Sequence, residues 1–233
     1  MYPNTQAYDR AVMFSPDGKL FQVEYAKEAV KRGATSIGIV CKDSVVFVAH
    51  KNIVEKLMVP STIQKIFKID VHIGATYSGL VPDALYLIDV AREIAQNHRF
   101  VFNETKSIEA LVKGLANQMM QATQYGGLRP YGVSFLIGGY DNAPRLYELG
   151  PDASLAGYKA DAIGFDRKQA TEILEKEYKD GMSVEEGIAL GIKVLKHVKE
   201  GKLDESNVDV AYAGKDMPYY QLEQDEIKKY LSE

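Results

Sequence analysis

Phe14 to Ile39 reads FSPDGKLFQVEYAKEAVKRGATSIGI, and it runs turn, helix, strand. Ser15-Pro16-Asp17-Gly18 puts proline where φ is preset and glycine where the chain can reverse. Leu20, Val23, Ala26 and Val30 then recur at helical spacing, which predicts a helix closing near Lys31 and Arg32 with Gly33 as its cap. A basic last turn suits the negative pole of the helix dipole. From Ser36 the pattern becomes an apolar strand, and Thr35 sits at the junction. The stretch therefore poses a chemical question: is that hydroxyl a nucleophile, or does the chain carry only the shape of a threonine hydrolase?

Working outward, Ser36 to Cys41 and Ser44 to His50 are strand-like runs joined by a Lys42-Asp43 turn. Both are apolar on either side, so both faces must be covered. Lys65 to Ile69 and His72 to Tyr77 lead into helical patterns at 81–97 and 107–124. The apolar stripe of the first is Leu85, Ile88, Ala91 and Ile94 or Ala95; that of the second is Ile108, Leu111, Val112, Leu115 and Met119. Strand signals resume at Gly132 to Ile137, Arg145 to Leu149 and Leu155 to Ile163. Helices follow at 167–178 and 184–199, the second opened by a Ser183-x-x-Glu186 capping box. Strands Val208 to Ala213 and Tyr219 to Leu222 and a short helix at 224–231 finish the chain. Paired helices between groups of strands do not fit a parallel doubly wound sheet. They fit an α+β arrangement of two stacked sheets covered by a helix pair on each side. Residues 15–233 read as one domain, preceded by a polar tail, residues 1–14, with too little apolar surface to hold a fold alone.

Composition narrows the function. The 28 basic and 32 acidic residues give a net charge of −4, and no segment gathers basic residues around aromatics, so no nucleic-acid partner is expected. Cys41 is the single cysteine, which excludes an intrachain disulfide and a thiolate cluster and suits a reducing compartment. No run approaches the ~20 apolar residues that cross a bilayer, so no membrane partner and a cytoplasmic location are expected. Phosphate-binding glycine loops, the H-E-x-x-H helix and the G-x-S-x-G elbow do not occur. His50, His72, His98 and His197 are scattered, and neither a metal nor a cofactor is expected.

The stretch 14–39, with Tyr8-Asp9-Arg10 before it, closely resembles the N-terminal signature of proteasome α-subunits, and GGLRPYGVS at 126–134 resembles a second block of that family. The resemblance, to the archaeal type, implies the four-layer αββα sandwich of N-terminal nucleophile hydrolases. It implies a non-catalytic structural and gating subunit in a homo-heptameric outer ring. That ring would control entry of unfolded protein substrates to proteolytic β-subunit rings and dock the C-terminal tails of a regulatory AAA ATPase. It places Tyr8, Asp9, Arg10, Pro16 and Tyr25 at the gate, Gly126 and Gly127 at the pore annulus, and Lys65, Gly33, Gly79 and Leu80 at the tail-binding pocket. Lys65 there captures a carboxylate, and the glycines let the partner's backbone approach. One departure concerns the gate: Asp9 to Phe14 supplies six residues between Tyr8 and Ser15, where relatives usually have seven, one of them a threonine.

The opening question now has chemical terms. A threonine of this class attacks only when its own free α-amine accepts the proton, so it must begin a mature chain. By resemblance the nucleophile position aligns with Ala34, the acidic partner with His50 and a serine with Phe165, while Lys65 and Asp209 stand at positions that are catalytic in active relatives. The competing reading is a threonine-type hydrolase activated by cleavage before Thr35, and a further one is a monomeric substrate-tethering module.

Overall fold

A computed structural model describes residues 13–53, 55–199 and 203–232. In chain order the elements are α1 (Phe21–Lys31), β1 (Ser36–Val40), β2 (Ser44–His50), a 3-10 turn at Pro60–Thr62, β3 (Ile66–Asp70), β4 (Ile73–Gly79), α2 (Val81–Phe102) and α3 (Ile108–Gln124). Then come β5 (Val133–Tyr140), β6 (Pro144–Leu149), β7 (Leu155–Tyr158), β8 (Ala160–Ile163), α4 (Arg167–Glu177), α5 (Val184–Val198), β9 (Val208–Gly214), β10 (Met217–Gln221) and α6 (Gln224–Ser232). The strands form two five-stranded antiparallel sheets, ordered β10-β9-β2-β1-β8 and β3-β4-β5-β6-β7.

The apolar runs of β1 and β2 are explained by their place in the stack. Successive side chains of a strand point to opposite faces. In β2, Val45, Phe47 and Ala49 enter the core between the sheets, while Val46 and Val48 enter the core under α4 and α5. The other sheet packs Phe67, Tyr77, Phe135 and Ile137 against Leu87, Ile88, Leu111 and Leu115 of α2 and α3. The result is helix, sheet, sheet, helix, as the sequence pattern requires. Phe47, between the sheets, and Phe135, under α2 and α3, are fully buried.

Three expectations need correcting. The buried face of α2 is Ala84, Leu87, Ile88, Ala91 and Ala95, whereas Leu85 is exposed. Leu155 to Ile163 is not one strand: Tyr158 ends β7 in one sheet and Ala160 begins β8 in the other, with Lys159 making the crossing and its carbonyl accepting the Val40 amide at 2.8 Å. Gly33 is not a left-handed cap, because Arg32 closes α1 in the right-handed region and Gly33 has no positive φ. Its glycine identity has a different cause, given below. The opposite side of the sandwich is also tied, by the Tyr219 amide of β10 donating to the Val71 carbonyl beyond β3 at 2.7 Å. The Ser183–Glu186 capping box forms in both directions.

Candidate functional site

Two clusters meet at the C-terminal end of α1. The first surrounds Ala34 and Thr35. Thr35 is fully buried, its hydroxyl donating to Asp166 Oδ2 at 2.7 Å, and Lys199 Nζ lies 2.6 Å from the same oxygen. The backbone on either side is fixed: the Phe165 amide donates to the Gly33 carbonyl and the His50 amide to the Thr35 carbonyl, both at 2.9 Å. Thr35 is thus a peptide-linked residue whose hydroxyl is spent on a salt-bridged carboxylate.

Asp209, at the start of β9, sits behind this cluster. Its Oδ1 meets Lys51 Nζ at 2.9 Å and its Oδ2 accepts the Lys65 amide at 3.0 Å. All three residues are about one-twentieth exposed: Lys51 5%, Lys65 5%, Asp209 6%. The Lys65 ammonium donates to the Tyr77 carbonyl at 2.6 Å and lies 3.9 Å from the centre of that residue's ring. Burial pushes the Lys65 amine down to about 7, with the Asp209 carboxylate pulling the other way. Lys65 and Asp209 are therefore neighbours, as the resemblance implies, but Thr35 turns its hydroxyl to Asp166 instead.

His50 ends β2 beside these charges, with a buried Nδ1 that has no hydrogen-bond partner among the described residues. Burial, then the Lys199 charge, holds its pKa at about 4 against an ordinary 6.5. The unfolded chain takes up this proton below 6.5, and the folded chain refuses it until about 4. This contribution to stability is therefore complete above the higher value, falls between the two and is constant below the lower one. His50→Asn should flatten the acid limb of the stability profile across that window, measured by urea unfolding at a series of pH values.

The second cluster is a surface pocket of about 490 Å³ lined by Tyr25, Glu28, Ala29, Arg32, Gly33, Gly79 and Leu80. It brings together three of the four expected tail-binding residues and one gate residue. Lys65 does not line it; its ammonium reaches the Tyr77 carbonyl, two residues short of Gly79. Both glycines are required by packing within the chain. A Cβ on Gly33 would overlap the Ser78 hydroxyl and the Gly79 nitrogen, and one on Gly79, whose φ is 120°, would overlap the Gly132 carbonyl. The Ser78 hydroxyl also donates to the Val30 carbonyl at 3.0 Å, so α1 lies directly on the end of β4.

Arg32, Glu28 and Ala29 join the pocket without having stood out as site residues in the sequence. A signal for them exists: residues 25, 28, 29 and 32 are spaced i, i+3, i+4, i+7, a second face of α1 beside the buried Val23, Ala26 and Val30. A larger concavity of about 860 Å³ between α1 and α4 contains none of the expected gate, tail-binding or annulus residues.

Pro16 is exposed in a turn held by the Gly18 amide on the Ser15 carbonyl at 2.8 Å, and Tyr25 stacks on Phe21 at 6.3 Å. Tyr8, Asp9 and Arg10 lie outside the described residues. Gly126 and Gly127 form an exposed turn after α3 with open space around both, and Gly127 has a φ of 89°. The loop is anchored behind them, where Arg129 grips Asp83 at 2.6 and 2.7 Å and the Gly132 amide donates to the same carboxylate at 2.8 Å. Among the described residues no cluster of His, Cys, Asp or Glu could hold a metal ion, and no helix is long and apolar enough to cross a membrane.

Comparison with known proteins agrees with this architecture. A family profile described as "Proteasome subunit" matches residues 30–213, and a second, for the N-terminal signature of the A-type proteasome subunits, matches residues 8–29. The chain is 47% identical over 233 residues to the proteasome alpha subunit of Archaeoglobus fulgidus, covering 99% of this chain and 95% of that one. It is 48% identical over 228 residues to that of Methanocaldococcus jannaschii (97% and 87%) and 45% over 229 residues to that of Methanosarcina thermophila (97% and 93%). Two sheets stacked between helix layers, two matching profiles and relatives that are close to half identical over nearly the whole chain lead to one conclusion: the chain belongs to the proteasome subunit family, among its alpha subunits.

Proposed function

We propose that this chain is a non-catalytic structural and gating subunit of a proteasome core particle. It forms a homo-heptameric outer ring in the cytoplasm, stacks on rings of proteolytic β-subunits and admits unfolded protein substrates. The observation that carries the reading is Thr35: it is peptide-linked and fully buried, with its hydroxyl donating to Asp166 at 2.7 Å. A threonine hydrolase of this class needs a free amine on the nucleophile itself. Cleavage before Thr35 would remove α1, which buries Val23, Ala26 and Val30 and carries the Val30 carbonyl bonded by Ser78. The competing catalytic reading therefore requires stripping a packed helix from the end of β4.

Residues 1–14 act as the gate, with Tyr8, Asp9, Arg10, Pro16 and Tyr25 ordering it, and Gly126 and Gly127 line the annulus beneath. The C-terminal tail of a regulatory ATPase docks in the pocket of Gly33, Gly79 and Leu80, with the Lys65 charge behind it. Exposed Phe100, Val101 and Phe102 at the end of α2, the first of them 91% exposed, support assembly with other subunits, since apolar patches of this kind are usually covered by a partner.

The test is reconstitution with an archaeal β-subunit. Particles whose chains lack residues 2–8 should hydrolyse small fluorogenic peptides severalfold faster than intact particles, and Thr35→Ala particles should match the intact ones. An unchanged rate on deletion would remove the gate from residues 2–8. Loss of turnover with Thr35→Ala would make the chain an enzyme.

A further inference from the structure

The two flanks of the molecule differ in what they leave uncovered. β7 and β8, each an edge strand, share one flank, and β3 and β10 share the other. An edge strand invites pairing with another chain unless something blunts it. β3 and β10 each carry a register shift, and β10 also holds Pro218. β7 is short, but it has no charge, no proline and no shift against β6, and Ala156 and Gly157 are exposed. Among the described residues no hydrogen bond from outside its sheet reaches its backbone.

The same flank holds the concavity of about 860 Å³ between α1 and α4. Its wall includes Gly150, Pro151 and Ser154, just before β7, and Phe165, just after β8 and 72% exposed. Several charges around it are already paired: Lys27 with Asp152, Lys31 with Glu28 and Arg167 with Glu148. Lys168, Glu172 and Glu175, all lining it from α4, are exposed and make no ion pair among the described residues.

The connector from β2 to β3, the edge strand of the opposite flank, supplies a counterpart. It turns at Glu55–Leu57, where the Met58 amide donates to the Glu55 carbonyl at 3.1 Å. Leu57 is 95% exposed, and Val59 after it is 56% exposed. Glu55 and Lys56 are exposed too and make no ion pair among the described residues, so the turn offers one unpaired charge of each sign. None of these residues lines the concavity of its own chain. An apolar knob ahead of one flank and a hollow on the other meet between copies, head to tail, each subunit giving its knob to the next.

We infer that the Glu55–Val59 turn of one copy of this chain packs into the concavity between α1 and α4 of the next copy, with Leu57 against Phe165 and Lys56 facing Glu172 and Glu175. This rests on the ring proposed above and names its contact.

The test follows ring formation of the full chain by native mass spectrometry over a series of concentrations, alone and with an archaeal β-subunit. Leu57→Asp should raise the concentration at which half of the chains are in rings tenfold or more, the scale of one lost apolar anchor. Its circular dichroism should match the wild type, because the side chain it replaces is exposed. Lys56→Glu should raise that concentration severalfold, and so should Glu172→Lys combined with Glu175→Lys. All three changes together should bring it back toward the wild-type value, since the attraction returns with its signs exchanged. If folded Leu57→Asp chains form rings at wild-type concentrations, or the triple variant assembles no better than its parents, this contact is wrong while the ring stands. If the wild type forms rings in neither setting, the ring reading falls and this inference with it.

Discussion

Asp209→Ala should destabilise the chain by about 3 to 5 kcal/mol, the scale for removing one partner of a buried ion pair. The carboxylate holds the Lys51 ammonium on one oxygen and the Lys65 amide on the other. With it gone, a lysine that is 5% exposed keeps a charge with no counterion, and a buried N–H loses its acceptor. At roughly 2–4 °C per kcal/mol for a chain of this size, the unfolding midpoint should drop by on the order of 10 °C. Asp209→Ala combined with Lys51→Met should recover much of the loss, because the methionine fills similar volume without a charge to satisfy. Urea unfolding at a fixed chain concentration gives both values. A loss below about 1 kcal/mol for the single variant would mean that Lys51 finds water once the carboxylate is removed.

The second large effect is expected at Gly79. Alanine there combines a left-handed φ of 120° with a methyl group driven into the Gly132 carbonyl. Strain and overpacking each cost about 1–3 kcal/mol, so a loss of roughly 3 kcal/mol or more is expected. Because β4 cannot then close against β5 at this point, the Leu80 to Gly132 hydrogen bond and the seat of α1 should loosen together. Hydrogen exchange of the α1 amides should rise in Gly79→Ala and stay near wild type in Gly18→Ala. Gly18 also has a positive φ but faces open space, so its cost should be about 1–2 kcal/mol of conformational strain alone. Equal losses at the two positions would show that close approach contributes nothing.

The layers are legible in the sequence, for reasons visible in particular residues. Ser36 to His50 is apolar without alternation because each strand is buried on both faces, and the Ser183–Glu186 spacing forms the cap it encodes. The crossing is not legible. Leu155 to Ile163 reads as one strand because a sheet-to-sheet crossing at Lys159 needs neither glycine nor proline. Leu85 falls on a helical spacing with Ile88, which suggests core, yet α2 turns its Ala84 and Leu87 side inward. The site is harder still. The resemblance marks Gly33 and Gly79 as places for a partner's approach, and packing within this chain independently requires both to be glycine. Arg32 reads only as a helix-ending charge. The Thr35–Asp166 bond joins residues 131 apart in the chain, and no local pattern announces it.

The crossing at Lys159 and the Tyr219–Val71 bond stand on opposite flanks of the molecule, one covalent and one a hydrogen bond. Together they seam the two sheets shut along both sides, like a flattened sleeve with a stuffed interior. Slip between the layers is opposed chiefly by the side chains interlocked in the core between them, Phe47 and Leu136 among them. Separation of the two sheets would have to begin at the hydrogen-bonded flank, since the other is closed by the chain itself.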